Sequence, residues 1–570
     1  MLTTLMKQRR YRIIQLLLTV LLLCLTSCSK KVEPVSDKIT YVETTEAQQG
    51  GFVTSLMLQG HQIYLYQPED IMHADIINYG YSAPLLMVFS DQKTEKEEAV
   101  RFICEKGIDQ IAQQNGGFVL YVNPVDRWEK EDDGIYETIL AKTAVAQNGF
   151  SHGLLHDVRQ NEYFFFASPA LTCLYGYGHG ADYIARNDLK ETKGVSSMSS
   201  LGSDDITITA AVLEGLSTEP VIADRDIIII SKGNDKNIDE TAQKQSDHYH
   251  CDDSAFPKIY EKYISGYQRW NGKLSETVSL EKLGLVMDPL VFRIDTSFDN
   301  SAVRSSWYKA GVVVWHKKEE LTEKKPLLLC FHGGGDTAIT TASIAGWPQI
   351  AAENDFILCA IEMHTHMTAS ETIEVINQLK EAYPIDETRI YATGFSMGGI
   401  KTWDLYQEYP EVFAALAPMG ATVDVGRNTQ FMTAPSLNEE IMVPLFCAGG
   451  EASQLQELPF QGKTCVDRIN YLFDVNGVQK KQELTYFNRA EWPDTICGYE
   501  GDIVEQYTDD SYPDSVTTIR YYRSLDGNIY TALCSISHHQ HEIRPFTCQK
   551  AWEFMQKFSR SEDGRIVINE

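Results

Sequence analysis

The stretch that decides the fold is "TRIYATGFSMGGIKTWDLYQEYPE", residues 388–411. A short apolar run from Arg389 to Thr393 leads into a glycine-rich turn, and a helical pattern follows at once. The turn carries the pattern glycine–any–serine–any–glycine, with Ser396 at its centre. Spacing alone is weak evidence, because a chain of this length contains the pattern by chance about one time in five. The strand–turn–helix context predicts that Ser396 is a nucleophile on a strained elbow.

Strands and helices alternate on both sides of this turn. Short apolar runs that end in glycine or polar residues are typical of buried strands, and strands that alternate with helices indicate a parallel α/β sheet. The segments with this alternating pattern are 325–336, 347–363, 442–451 and 527–541, and a closing amphipathic helix follows at 551–560.

The N-terminal half repeats three of these stretches in the same order. "PLLMVFSD" at 84 aligns with "PLLLCFHG" at 326, and "QIAQQNGGFVLYV" at 110 aligns with "QIAAENDFILCAI" at 349. The third match aligns Gly176–Gly180 with the serine turn, but Gly178 stands where the second half has its serine. We interpret the first half as a degenerate, non-catalytic copy; the alternative is two unrelated α/β layers with generic strands.

A serine nucleophile needs a histidine base and an acid that orients the base. The last predicted strand runs into three histidines, of which His541 is the favoured base and His539 the alternative. The acid should follow the strand at 443–450, where Glu451 and Glu457 are the candidates.

The tetrahedral oxyanion formed in such chemistry needs backbone N–H donors. The amide of Met397, at the start of the helix after Ser396, is one candidate. The loop His332–Gly335 should supply the second, because its glycines let the backbone of Gly333 and Gly334 approach the substrate. We expect His332 itself to be structural. In the first half, Ser90–Asp91 replaces His332–Gly333 and supplies no glycine loop, and no partner histidine is evident there.

Residues from about 285 to 570 resemble the esterase family that includes polyhydroxybutyrate depolymerases and feruloyl esterases, within the α/β-hydrolase superfamily. The resemblance rests on "FHGGG" (331–335), "IDETRIYATGFSMGG" (385–399), "YPEVFAALAPMGA" (409–421) and "AWEFMQKFSR" (551–560). It implies Ser396 as nucleophile, an ester as substrate, and a base at the distance from Trp552 that His541 has. The sequence departs from the family where an acid is usual, since Ala452 and Ser453 stand there.

The fold expected is therefore two tandem α/β-hydrolase-like domains with mostly parallel sheets, the N-terminal one degenerate. Lys7, Arg9, Arg10 and Arg12 precede an apolar stretch ending in "LTSC", which resembles a bacterial lipobox and implies lipid on Cys28 and anchoring outside the cytoplasm. An uncleaved anchor or a plain secretory signal is the alternative. The predicted segments are a signal peptide at 1–27, a polar tether at 28–50, the degenerate domain at 51–275 and the catalytic domain at 276–570.

Composition narrows the function further. The net charge of −29 argues against nucleic acid as a partner, because phosphate binding needs clustered Lys and Arg. The twelve cysteines show no zinc-finger spacing, and those at 330, 359, 447 and 534 lie in apolar runs typical of a core. No metal or cofactor is predicted: "DHYHCDD" (247–253) is interpreted as a solvated loop, and "MHTHM" (363–367) as a possible pocket rim.

Two rivals to an esterase stay open at this point. A peptidase of the same fold would use the same triad. A non-catalytic binding lipoprotein would fit the unusual acid position and the degenerate first half.

Overall fold

The structure is a computed structural model that describes residues 39–569 with gaps. The longest gaps cover 68–81, most of 130–165, 194–204, most of 422–436 and 480–500. The predicted signal peptide, Cys28 and Gly335 lie outside the described residues. Among the described residues, no helix has the length and apolar character needed to cross a bilayer.

The N-terminal half alternates strands and helices around one large sheet. Its strands are β1 (Thr40–Glu46), β2 (Phe52–Leu58), β3 (His61–Gln67), β4 (Ser82–Phe89), β5 (Phe118–Val122), β6 (Phe166–Tyr177), β7 (Thr192–Lys193), β8 (Asp205–Ile206), β9 (Ile208–Glu214), β10 (Ile228–Lys232), β11 (Tyr249–Cys251), β12 (Tyr267–Trp270) and β13 (Lys273–Glu276). Its helices are α1 (Lys96–Glu105), α2 (Ile108–Gln114), α3 (His179–Arg186), α4 (Lys236–Gln243) and α5 (Phe256–Ile259), the last continued by a π-helical turn at Tyr260–Ile264.

The C-terminal half repeats this arrangement around a second large sheet. Its strands are β14 (Leu285–Asp295), β15 (Trp307–Lys317), β16 (Lys325–Phe331), β17 (Ile357–Ile361), β18 (Ile385–Phe395), β19 (Ala415–Met419), β20 (Leu445–Gly450), β21 (Ile503–Asp509), β22 (Tyr512–Arg523), β23 (Ile529–Ile536), β24 (Phe558–Arg560) and β25 (Ile566–Ile568). Its helices are α6 (Leu280–Leu283), α7 (Ala338–Ile344), α8 (Trp347–Asn354), α9 (Ala369–Ala382), α10 (Met397–Glu408), α11 (Lys463–Val475) and α12 (Pro545–Met555), with 3₁₀ turns at His364–His366 and Pro410–Val412.

The two large sheets, as far as the structure describes them, share an order of eight strands, from β2 to β11 in the first and from β14 to β23 in the second; β1 extends the first sheet and β22–β21 extend the second. The first runs β1-β2-β3-β5-β4-β6-β9-β10-β11, and the second runs β14-β15-β17-β16-β18-β19-β20-β23-β22-β21. In each sheet an antiparallel strand, β3 or β15, pairs with the first strand of a parallel block. Within that block the spatial order departs from the chain order, because β5 comes before β4 and β17 before β16. The three aligned stretches of the first half are the neighbouring parallel strands β4, β5 and β6, as the repeat predicted.

The strands around the serine turn are buried on both faces. All of Pro326 to Phe331 in β16 is buried, as expected for a parallel strand that helices or a second layer cover on each side. Leu328 and Cys330 point into a core that also contains Met87 and Leu174 of the first sheet. Helix α7 packs against β16 and also against β4 and β6, so the two halves share this core.

Three expectations need correction. The predicted tether at 28–50 is too long, because β1 begins at Thr40 and pairs with β2. The segment 247–253 is not simply a solvated loop, since Tyr249–Cys251 forms β11 and the buried Tyr249 donates a hydrogen bond to Asp239. The closing helix predicted at 551–560 begins earlier and ends at Met555.

The cysteines predicted for the core, at 330, 359, 447 and 534, are all buried. The nine cysteines that the structure describes are free thiols rather than disulfides.

Candidate active site

The serine turn is a sharp elbow between β18 and α10. Ser396 has φ of 53° and ψ of −112°, a backbone conformation that residues other than glycine rarely adopt. Such a conformation costs about 1–3 kcal/mol of folding free energy. The N–H of Ser396 donates a 2.9 Å hydrogen bond to the carbonyl of Met419 at the end of β19. The elbow therefore holds the hydroxyl at the carboxyl edge of the sheet.

The two glycines of the pattern are needed sterically. A Cβ on Gly394 would lie 2.3 Å from the backbone of Gly398, and a Cβ on Gly398 would lie 2.1 Å from the carbonyl oxygen of Phe331. Neither site can hold a larger residue without moving backbone. This is the close approach of strand and helix that the sequence pattern predicted.

The structure brings Ser396, His541 and Glu457 into one chain of hydrogen bonds. The Ser396 hydroxyl lies 2.9 Å from Nε2 of His541, and Nδ1 of His541 lies 2.5 Å from Oε1 of Glu457. His541 remains 18% exposed at its side chain, whereas Glu457 is 2% exposed. A nucleophile, a base and a buried carboxylate thus stand in the order that nucleophilic catalysis requires.

The strand order and this elbow decide the fold. It is that of the α/β-hydrolases. In this fold the nucleophile stands on a turn between a central strand and a helix, and acid and histidine follow it in the chain, as Ser396, Glu457 and His541 do.

Of the two candidate acids, Glu457 reaches the histidine. The Gly450 amide donates to Oε2 of Glu457 at 2.8 Å, and the Ser453 hydroxyl donates to Oε1 at 2.5 Å. Glu451 uses its backbone N–H to bind the carbonyl of Ile536. No sequence pattern predicted that Ser453 binds Glu457, because this contact depends on the three-dimensional arrangement of the two side chains.

The remaining histidines of the loop have other partners. His539 is buried, and its Nε2 lies 2.7 Å from the carbonyl oxygen of Glu542. Burial, together with the positive charge of Arg544, lowers the pKa of His539. His541, rather than His539, therefore faces Ser396.

Two backbone segments can provide oxyanion donors. The N–H of Met397 is at the first position of α10, where it has no acceptor within the helix. A Cβ built on Gly333 would lie 3.7 Å from Cβ of Ser396, so the glycine loop with Gly333 and Gly334 passes directly beside the nucleophile.

His332 has the structural place expected for it. It is buried, and its ring nitrogens lie 2.7 and 2.6 Å from the carbonyl oxygens of Gly333 and Glu362. His364 contacts the same loop, with its Nε2 2.8 Å from the carbonyl oxygen of His332. His364 thus supports the glycine loop from the protein interior and, with 1% exposure, is not a rim residue; Met363 and the side chain of His366 lie outside the described residues.

Sequence reasoning missed one aromatic neighbour of the base. The ring of Phe395 packs 4.7 Å from the ring of His541, between Gly333 and Gly420. Gly420 has φ of 61°, and a Cβ there would lie 2.7 Å from the Phe395 ring. The only signal was an aromatic residue directly before the serine.

No family model matches this chain. A bifunctional acetylxylan esterase/xylanase, XynS20E of Neocallimastix patriciarum, is 30% identical over 107 residues, which is 17% of this chain and 16% of that protein. The match thus spans about a sixth of the relative's length.

Two solved structures are similar to about half of the chain. Acetyl xylan esterase from Aspergillus awamori is 12% identical with a TM-score of 0.33, over 47% of this chain and 99% of that chain. S-formylglutathione hydrolase from Agrobacterium tumefaciens is 12% identical with a TM-score of 0.31, over 48% of this chain and 96% of that chain.

The first half keeps the elbow without the nucleophile. Gly178, between β6 and α3, has φ of 56° and ψ of −122°, close to the values at Ser396. Its N–H donates to the carbonyl of Glu214 at the end of β9, and a Cβ on Gly180 would lie 2.1 Å from the carbonyl oxygen of Phe89. Each contact has a counterpart at the serine elbow.

Asp91 fills the site that this pseudo-elbow would otherwise offer. Its Oδ1 accepts hydrogen bonds from the backbone N–H of His179, at 2.8 Å, and from Nδ1 of the same residue, at 2.7 Å. A Cβ on Gly178 would lie 2.3 Å from that oxygen. The amide that corresponds to Met397 is therefore already bound to a carboxylate of the protein.

The described part of the chain contains no group of three or more side chains arranged to hold a metal ion.

Proposed function

We propose that this protein is a serine hydrolase that cleaves carboxylic esters through an acyl-enzyme on Ser396. The observation that carries the proposal is the continuous hydrogen-bond chain from Ser396 through His541 to Glu457. The strained elbow and the adjacent glycine loop support it, because both are needed to expose the hydroxyl and to stabilise an oxyanion.

In the acylation step, Nε2 of His541 removes the proton as the Ser396 oxygen attacks the ester carbonyl. Glu457 accepts the hydrogen bond from Nδ1, fixes the tautomer of the ring and stabilises the imidazolium that forms. The N–H groups of Met397 and of the Gly333–Gly334 loop bind the oxyanion. The imidazolium then gives its proton to the alcohol as the ester bond breaks.

Deacylation repeats these steps with water as the nucleophile. His541 removes a proton from the water, which attacks the acyl carbonyl, and the tetrahedral intermediate collapses to release the acid and the serine hydroxyl. We propose short acyl groups, including acetyl groups on polysaccharide, as the substrate class. The support is the likeness to an acetylxylan esterase over 107 residues.

The test compares the mature chain with Ser396→Ala on p-nitrophenyl acetate, acetylated xylan and feruloyl esters. We expect the wild type to hydrolyse at least one of them and the variant to lose about 10³-fold or more in kcat. Equal rates would show the proposal to be wrong. Cleavage of dipeptide amides but not esters would instead identify a peptidase, and failure of a fluorophosphonate probe to label Ser396 would favour a binding protein.

We also propose that lipid on Cys28 anchors the protein to the outer face of a bacterial membrane. The basic start and the apolar stretch that ends at the lipobox-like "LTSC" support this. Expression with a labelled fatty acid should label the wild type, and Cys28→Ala should remain unlabelled. Label on the Cys28→Ala variant would contradict the proposal.

A further inference from the structure

The C-terminal sheet carries an antiparallel hairpin, β21–β22, beyond the strand that precedes the histidines. β22 pairs with β23, and β21 forms the edge. In the first half, the described large sheet ends at β11, in the position that corresponds to β23. The hairpin is therefore a feature of the half that holds Ser396, and the first residues of β22 lie beside the histidine loop, residues 537–544.

The start of β22 holds the first part of the histidine loop. Ser537 donates its N–H to the carbonyl of Val516 at 2.9 Å, and its hydroxyl accepts from the N–H of Val516 at 2.8 Å. His538 has φ of 55°, and its Nδ1 donates to the carbonyl of Asp514 at 2.9 Å. The strained turn at His538 is thus fixed from the hairpin side.

Arg544 holds the other end of the loop on the same hairpin. Its guanidinium stacks 3.5 Å from the centroid of the Tyr512 ring, and Nη1 donates to the hydroxyl of Ser515 at 3.1 Å. Nη2 donates to Glu542 of the loop itself, at 2.5 Å. Arg544 is only 6% exposed, so salt screens its contacts less than it would screen those of an exposed arginine.

We propose that Arg544 and Tyr512 are positioning residues that fix His541 between Ser396 and Glu457. This inference rests on the proposed esterase function. Both ends of a short loop are pinned to β22, and His541 lies between them, so the imidazole is held in reach of both partners. The planar guanidinium suits this task, because it stacks on the ring and donates in two fixed directions at once.

The first experiment measures kcat and KM of Arg544→Gln on the ester that the wild type hydrolyses. We expect kcat to fall about 10–100-fold while KM stays within about twofold, because misplacing the base slows the chemistry rather than substrate binding. Tyr512→Phe, which keeps the ring face, should retain the wild-type kcat, and Tyr512→Leu should lower it.

Arg560→Gln is the matched control. Arg560 is also 6% exposed, but it donates to the carbonyls of Phe413 and Pro410, just before β19 begins and away from the histidine loop. We expect this variant to lower the unfolding temperature without the selective loss of kcat. If Arg544→Gln does not fold, Tyr512→Leu provides the same test.

A double-mutant cycle separates positioning of His541 from a general structural role. In a His541→Ala background, Arg544→Gln should change the residual rate by less than about twofold, because no base remains to be positioned. Equal losses in both backgrounds, or a wild-type kcat in Arg544→Gln and Tyr512→Leu, would overturn the inference while leaving the esterase intact. Full activity in Ser396→Ala would instead overturn the proposed function itself.

Discussion

At the scale of single residues, the choice between two glutamates depends on the reach of the side chain. Glu457 lies further along the loop after β20 than the position at which an acid was expected, yet its carboxylate binds His541, Ser453 and the amide of Gly450. These three donors satisfy both oxygens of the buried side chain and hold it in place beside the histidine.

We therefore expect Glu457→Gln to reduce kcat by about 10²–10⁴-fold, because a neutral amide neither stabilises the imidazolium nor fixes its tautomer. Glu451→Gln is the matched control and should stay near the wild-type rate. Steady-state hydrolysis of p-nitrophenyl acetate by both variants checks this. A larger loss in Glu451→Gln than in Glu457→Gln would contradict the assignment.

At the scale of elements, the antiparallel strands β14 and β15 at the sheet edge are joined by a pair of ionisable side chains, Asp288 and His316. Asp288 accepts hydrogen bonds from Nε2 of His316, at 2.9 Å, and from the hydroxyl of Tyr383, at 3.0 Å. The hydrogen bond to Asp288 raises the pKa of His316 above its ordinary 6.5. The same bond lowers the pKa of Asp288 below its ordinary 3.8.

The two shifts define where this contact stabilises the fold. Because the folded pKa of His316 is raised, its contribution is complete below pH 6.5 and is lost as the pH rises through the folded value. Because the folded pKa of Asp288 is lowered, its contribution is complete above pH 3.8 and is lost as the pH falls through the folded value.

We expect Asp288→Asn to unfold at a lower temperature than the wild type. The difference in unfolding temperature should be largest between pH 3.8 and 6.5 and should shrink at higher pH. The effect should be small, since the Asp288 side chain is 40% exposed. Thermal unfolding across about pH 4 to 9 measures the decrease on the alkaline side, where His316 loses its proton. Tyr383→Phe keeps the ion pair and should give a pH-independent difference; the same pH trend in both variants would refute the explanation.

Elements were predictable where local pattern and burial agree. β16, β17 and β20 are continuous apolar runs, and they appeared in the sequence as strands. β21 and β22 did not, because the edge hairpin alternates exposed and buried residues and depends on pairing with β23. Ser396 and His541 were predictable from motif and order, whereas no local pattern distinguishes Glu457 from Glu451, because the contact that decides between them joins residues 84 positions apart.

At the scale of the whole molecule, two sheets that share an order of eight strands also share a core, and the elbow of the first has Gly178 where the second has Ser396. The turn at Gly178 has the backbone conformation of an elbow. The N–H of His179, which follows it, already donates a hydrogen bond to the carboxylate of Asp91. Restoring the serine alone would force that carboxylate aside, since it lies 2.3 Å from where the new Cβ would be.

We expect Gly178→Ser, alone or with Asp91→Gly, to remain inactive in a Ser396→Ala background. A hydroxyl at 178 would gain neither the base nor the glycine loop that Ser396 has. Fluorophosphonate labelling followed by peptide mapping tests this, with the wild type as the positive control. Label on residue 178 would show that the first half retains a latent active site.

The matched conformations at 178 and 396 have an energetic consequence. Glycine adopts a φ near 56° without penalty, whereas serine at 53° stores strain. The same turn therefore costs the fold less at Gly178 than at Ser396, and a change from glycine to serine at 178 would introduce the strain that Ser396 already bears.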